Sequence, residues 1–292
     1  MAQENAITTA QMRKVREVDF VERFTHDQLM KLLEVLGVTR KIPMMEGTTM
    51  YLYKTVGNLA NDGTVAEGEV IPLSQFETTK TPVGEITLKK WRKAVTAEAI
   101  KKSGYQAAVN DTDTALLKKV QSGIRTDFFT LVNGNITGSV TAEGFGLQAA
   151  LANAWGKLQI AFEDDTAEAV YFVNPTDIAD YLGSASITVQ TAFGMNYIQN
   201  FLGLGTVILS SQITAGTFVA TAKENLVLYY LTMNGDVANA FDLTADQTGY
   251  VGIKSGYQNE ERAQIESLVM SGLQLFVEYA AGVVKGTINS GE

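Results

Sequence analysis

Cysteine is absent from this sequence, which removes disulfides, thiolate catalysis and cysteine-ligated zinc together. Histidine occurs once, at His26. Alone it cannot form a histidine-rich metal site, and in the polar start of THDQLMKLLEVLG a solvated or capping role is the simpler one. With only four prolines, no stiff linker divides the chain. No stretch approaches the roughly 18 apolar residues of a membrane helix, and MAQENAITTAQMRK has no signal-peptide core. Synthesis and folding in a cytoplasm, without membrane contact, are therefore expected, and the sequons at Asn110 and Asn135 carry no weight. No G-x-S-x-G frames a serine, so nothing in the sequence favours an enzyme.

Apolar material, by contrast, is ample. Hydrophobic residues make up 46% of the 292, enough for one large or two modest domains, and the net charge is −9. That acidity argues against a surface built to grip phosphates, so any contact with DNA should be weak. The longest convincing helix runs from Asp111 to Asn133, where Leu117, Val120, Ile124, Phe128 and Leu131 recur at intervals of three or four and form one apolar stripe. Asp111 or Asp113 is placed to cap its start, and Gly134 to end it. From Asp111 to Val132 it would span roughly 33 Å, the length of a beam.

The other elements are arranged along this beam. Residues 1–43 read as an N-terminal arm: residues 1–24 without sustained period, then a short amphipathic helix, Thr25 to Leu36, whose apolar face must pack on the body or on another subunit. Residues 44–95 read as two long strands of a polar hairpin, from TTMYLYKTV through the turn-rich GNLANDGT to EVIPLSQFETTK and VGEITLKKW. Too poor in apolar residues to own a core, such a hairpin needs a partner to lie across. Thr96 caps a further helix, TAEAIKKSG. Helices and strands then alternate over 141–247: a helix from Leu147 to Phe162, a buried strand AVYFVN, a helix from Thr176 or Asp177, NYIQNFLG as helix, and the strands TVILSS, GTFVATA and LVLYYL. This is an α+β or α/β module. The tail from Glu261 reads as strands with turns at Ser271-Gly272 and Ala281-Gly282.

Few constellations suggest chemistry. Gly144-Phe145-Gly146-Leu147-Gln148-Ala149 fits the dinucleotide pattern G-x-G-x-x-A, but NITGSVTAE before it is a poor buried strand and the acids Glu163, Asp164 and Asp165 precede the next strand instead of ending it. An ordinary glycine-hinged helix start is favoured over cofactor binding, and a solvated acidic turn over a cation site. Lys89-Lys90-Trp91-Arg92-Lys93 could stack a base and neutralise phosphates, yet in so acidic a chain a charged hairpin end paired with acidic neighbours is the better reading. Arg13, Lys14, Arg16 and Arg23 form a second basic stretch, suited to a neighbour's acidic face.

Four local sequences carry a resemblance: Ala66-Glu67-Gly68-Glu69-Val70-Ile71-Pro72 in the second hairpin strand, Val95-Thr96-Ala97-Glu98-Ala99-Ile100, Phe172-Val173-Asn174-Pro175-Thr176, and Glu261-Arg262 before the last strands. Together with the element order they resemble the major capsid proteins of tailed double-stranded DNA phages, the Hong Kong 97 fold. The resemblance implies an α+β capsid fold with an N-terminal arm (1–43), an E-loop (44–95), a P-domain carrying the long spine helix (96–140 and 248–276) and an α/β A-domain (141–247 and 277–292). It implies hexamers and pentamers tiling an icosahedral virion shell around packaged DNA, assembled in the host cytoplasm with a separate scaffolding protein, a portal and decoration proteins as partners, and no cofactor. Glu67, Glu69, Ile71, Lys89, Lys90 and Arg92 become intersubunit E-loop candidates, and Arg13, Lys14 and Arg16 become arm contacts. Some members cross-link subunits through a loop lysine and an asparagine; Lys80 and Asn259 are conceivable counterparts, but no local motif assigns them that chemistry. An encapsulin-like nanocompartment shell is the nearest alternative, and a nucleotide-binding α/β enzyme resting on Gly144 to Ala149 the alternative of another class.

Overall fold

The computed structural model describes residues 17–18, 21, 29–61, 63–134, 139–162, 167–184, 187–245 and 247–289. In chain order, helix α1 (Lys31–Val35) leads into strand β1 (Arg40–Met44). Strands β2 (Thr49–Asn58) and β3 (Gln75–Glu85) pair antiparallel as a separate two-stranded ribbon. Strand β4 (Lys89–Thr96) runs into helix α2 (Ala97–Ser103), where the Thr96 hydroxyl accepts from the Ala99 amide at 3.3 Å, the expected cap. After Gly104 the chain winds through a π-helical segment (Gln106–Asp111) directly into the long helix α3 (Thr112–Asn133).

Asp111 and Asp113 do not cap this helix. Helical backbone already begins at Tyr105, so no unpaired first-turn amide remains for Asp111, which lies inside the π-helical segment; Asp113 pairs with Lys93 at 2.9 Å. The end falls at Asn133, just before Gly134 as anticipated.

The remaining elements are β5 (Val140–Phe145), α4 (Gly146–Ala161), β6 (Ala169–Val173), α5 (Pro175–Ser184), β7 (Gln190–Ala192), β8 (Met195–Ile198), β9 (Gly205–Leu209), β10 (Thr217–Ala222), β11 (Leu226–Leu231), α6 (Asp236–Phe241), β12 (Thr244–Ala245), β13 (Val251–Asn259), β14 (Gln264–Ser271), β15 (Leu273–Val277) and β16 (Val283–Asn289). They form a seven-stranded mixed sheet in the order β5-β16-β10-β6-β9-β8-β7, a four-stranded antiparallel sheet β12-β13-β14-β4, and a three-stranded sheet β1-β11-β15 in which β1 runs parallel to β11. NYIQNFLG is not a helix. Met195, Tyr197 and Ile198 are buried as strand residues paired between β7 and β9, and Leu202, at φ +53, cannot continue a right-handed turn. Phe193 and Gly194, both at positive φ, make the tight turn between β7 and β8; a side chain at Gly194 would meet the Arg125 guanidinium at 2.5 Å.

The long helix faces more than one sheet. Val120, Ile124 and Phe128 are fully buried, as the stripe requires, and Leu117 packs half-buried at its margin; the Leu131 side chain lies outside the described residues. These side chains share a core with Val251, Ile253 and Val269 of the four-stranded sheet, with Leu273 and Leu275 of β15, and with Val170, Phe172, Ile208 and Val219 of the seven-stranded sheet. Phe129, off the predicted stripe, meets Phe172 edge-on at 5.3 Å between ring centroids. Leu29, Leu32, Leu33 and Leu36 bury completely in this same core, so the short N-terminal helix packs on its own body. A second core, between the other face of the seven-stranded sheet and α4 and α5, is filled by Leu147, Leu151, Leu158, Tyr171 and Ile178.

Truncating Phe128 to Ala should cost about 3–5 kcal/mol, and Ile124→Asp, which forces an unpaired charge into the shared core, should yield no soluble folded protein. Lys118→Asp, on the exposed face of the same helix, should express and melt like the parent by circular dichroism.

Candidate assembly surfaces

The β2–β3 ribbon projects with little buried surface: along β3 every residue but Gly84 is exposed, and Met50 of β2 is buried at the ribbon's foot. Its connecting segment, 59–74, holds the apolar residues Val70, Ile71 and Leu73 at 92%, 73% and 95% exposure. Phe76 and Val56 add exposed apolar surface close to that end of the ribbon. Three apolar side chains close together in sequence are thus left bare on one short segment. Glu67, Glu69 and Ile71 belong to this connecting segment and not to the second strand, which begins only at Gln75, because Pro72 and the glycine-rich run before it withhold the ladder. The ribbon touches the body midway along β2, through a bridge between Tyr53 and Tyr279.

Lys89, Lys90 and Arg92 lie off the ribbon, on β4, which pairs along its whole length with β14 in the four-stranded sheet. Their neighbours are acidic, as the cluster's preferred reading held. Lys89 pairs with Asp127 of the long helix at 2.7 Å, Arg92 with Glu266 at 2.6 Å, and Lys93 with Asp113 while donating to the Val109 carbonyl at 2.7 Å. Lys90 is exposed. Glu266 is 1% exposed, and its carboxyl is held below the usual range by hydrogen bonds from the Tyr257 hydroxyl first, then from Arg92 and Asn259, against the opposing effect of burial. The Asn259 amide donates to Glu266 at 2.9 Å. Lys80 stands on β3 with its ammonium 5.0 Å from the Tyr51 ring centre.

Beside these pairs, between α2 and the β13–β14 turn, an open groove of about 410 Å³ is lined by Ala97, Ile100, Ala263 and Ile265, with Lys101 and Gln258 among its other walls. Sequence reasoning missed it, because residues near 97 and near 265 meet only once β4 and β14 have paired.

The dinucleotide-like motif is a strand–turn–helix after all, since Val140–Phe145 forms β5. Its position is wrong for a cofactor: β5 is an edge strand, whereas dinucleotides bind at a switch point inside a sheet. Gly144 serves packing, because a Cβ there would lie 2.3 Å from the Ala150 amide nitrogen. Glu163, Asp164 and Asp165, His26, and the arm residues Arg13, Lys14 and Arg16 lie outside the described residues. Among the described residues no cluster of three or more His, Asp or Glu could hold a metal ion, and no helix is long and apolar enough to cross a membrane.

Because the folded-state carboxyl of Glu266 is depressed, its stabilising effect is present above the ordinary range near 4.5 and lost as pH falls through the lower folded value. The melting temperature of Glu266→Gln should therefore lie below that of the parent at pH 7, and the gap should close on acidification; an unchanged gap would remove the carboxylate's role.

No family model matches the chain, and no curated protein matches it in sequence. Solved structures do match in fold. The virus-like particle from Pyrococcus furiosus is 13% identical, with 95% of this chain and 99% of that chain aligned at a TM-score of 0.50. The Cyanophage A-1(L) capsid is 10% identical over 88% and 92% at 0.52, and the capsid of an empty GTA particle 9% identical over 87% and 88% at 0.52. All three are described as particles or capsids, not by a reaction. A mixed α/β chain with a long helix braced by its sheets and a coreless projecting ribbon thus has the Hong Kong 97-like fold of capsid proteins.

Proposed function

We propose that this chain is a self-assembling, non-catalytic shell subunit, a major capsid protein that forms hexamers and pentamers of an icosahedral head around double-stranded DNA. The observation that carries the reading is the ribbon, whose connecting segment holds Val70 at 92% and Leu73 at 95% exposure, the two most exposed large hydrophobic residues among those described. Left in water, about three large apolar side chains forgo roughly 1.5–3 kcal/mol each, a strong drive toward association. In this reading the spine helix and the sheets on its two sides are the tile, and the ribbon is the E-loop that ties one tile to the next. A scaffolding protein, a portal and decoration proteins belong to the same proposal, as does location in a virion.

The partner surface for the ribbon's end is the groove between α2 and the β13–β14 turn of a second copy. Val70, Ile71 and Leu73 match its apolar floor, and Glu67 and Glu69 match Lys101 and Lys102 on the exposed side of α2. The connecting segment contains no lysine, so this contact calls for no Lys–Asn bond, and the Asn259 amide is already occupied in holding Glu266. A nanocompartment shell is the second reading, because a closed shell of this fold does not by itself fix what it encloses. The contents of purified particles, DNA or an enzyme, decide between the two.

The absence of cysteine makes a direct test clean. Purified with its scaffolding protein, the chain should form closed particles by negative stain; persistent compact monomers would sink the shell reading. Paired Leu73→Cys and Gln258→Cys should give a ladder of disulfide-linked subunits on non-reducing gels, and Leu73→Cys with Lys118→Cys should not. Particles without a ladder would refute the groove contact while leaving the shell.

A further inference from the structure

Glu17, near the end of the N-terminal arm, is only 1% exposed, an unusual place for a carboxylate. Its two oxygens accept from different donors of the four-stranded sheet: Oε1 from the Ser255 backbone amide at 2.7 Å, and Oε2 from the Thr244 hydroxyl at 2.7 Å. The Ser255 hydroxyl stands 3.5 Å from Oε1. The reason that amide is available lies in β13. Its ladder with β14 slips between Lys254 and Tyr257, and Gly256, at φ +64, permits the bulge. Ser255 and Gly256 have no β14 residue opposite them in the register there. The Gly256 amide finds the Ser267 hydroxyl at 3.4 Å, and the Ser255 amide finds Glu17. Next to the site, Lys254 is turned to Asp242 at 3.6 Å. Four residues beyond Glu17, Val21 is buried in the core that surrounds the long helix.

We propose that Glu17 is the catch that fastens the N-terminal arm to the body of its own subunit, and that the bulge at Ser255–Gly256, with Thr244, is the receptor built for it. β12 pairs only with Gly252 and Ile253, so this edge of β13 is open at Ser255, and the bulge beside it sets where the amide meets the carboxylate. Charge-assisted hydrogen bonds to a buried carboxylate are the strong kind, and removing the carboxylate takes a charged acceptor away from both the Ser255 amide and the Thr244 hydroxyl. One side chain therefore sets whether the chain before it, with Arg13, Lys14 and Arg16, is held to this body or released to another surface. The inference stands whether or not the particle reading does.

The test uses the full chain with three proteins: the parent, Glu17→Ala and Thr244→Val. Brief trypsin treatment, followed by mass spectrometry, reads cleavage after Arg13, Lys14 and Arg16, and hydrogen exchange reads the peptide containing Ser255. Glu17→Ala should raise the cleavage rate about tenfold and Thr244→Val about threefold, with faster exchange at Ser255 in Glu17→Ala and unchanged exchange at Val227 and Leu228 of β11. Should Glu17→Ala fail to fold, Thr244→Val carries the cleavage test alone. Cleavage at the parent rate in the folded variants, or unchanged exchange at Ser255, would overturn the catch.

Discussion

One apolar core gathered round the long helix holds this subunit together. Val120, Ile124, Phe128 and Phe129 leave the helix over a wide arc, so that the four-stranded, three-stranded and seven-stranded sheets all bury side chains against it. A two-residue-wide stripe would satisfy one sheet; the extra phenylalanine, edge-on to Phe172, brings in another. The N-terminal leucines of α1 fill the same space. The body is consequently one packed unit, and the parts that stand away from it do so because they have no share in this core.

Charge follows the same division. In an acidic chain, many cations of the body are engaged internally: Lys89, Arg92 and Lys93 on β4, Arg40 with Glu278, and Lys223 with Glu168. Most of these pairs are partly open to solvent and add little each, but they leave fewer free cations to neutralise a phosphate backbone. The pair at Glu266 differs, because its carboxylate is buried and three donors converge on it. That site fixes the junction of β4 with β14 next to the groove, so a change in its protonation would be felt at the proposed partner surface.

Beyond the core, the ribbon and the arm present opposite solutions to the same difficulty. Neither segment has enough apolar surface to order itself. Glu17 accepts a hydrogen bond from the Ser255 amide of its own four-stranded sheet, at the bulge in β13. The ribbon instead carries its apolar end at Val70 to Leu73 exposed, the end that the proposed shell reading places against a second copy.

The sequence by itself determined the elements that depend on local chemistry. The periodicity of Val120, Ile124 and Phe128, the Thr96 cap, the fully apolar AVYFV strand and the coreless polar hairpin were all legible, because each is written in residues near one another along the chain. Only the tertiary structure decided matters of pairing. It moved Lys89, Lys90 and Arg92 from a hairpin to a sheet, made NYIQNFLG a strand and a turn, and gave β5 an edge position that denies the glycine motif a cofactor. It also brought Glu17 to Ser255, more than two hundred residues away. Strand pairing and buried polar contacts join residues distant in sequence, and no local pattern encodes which distant partner will be met.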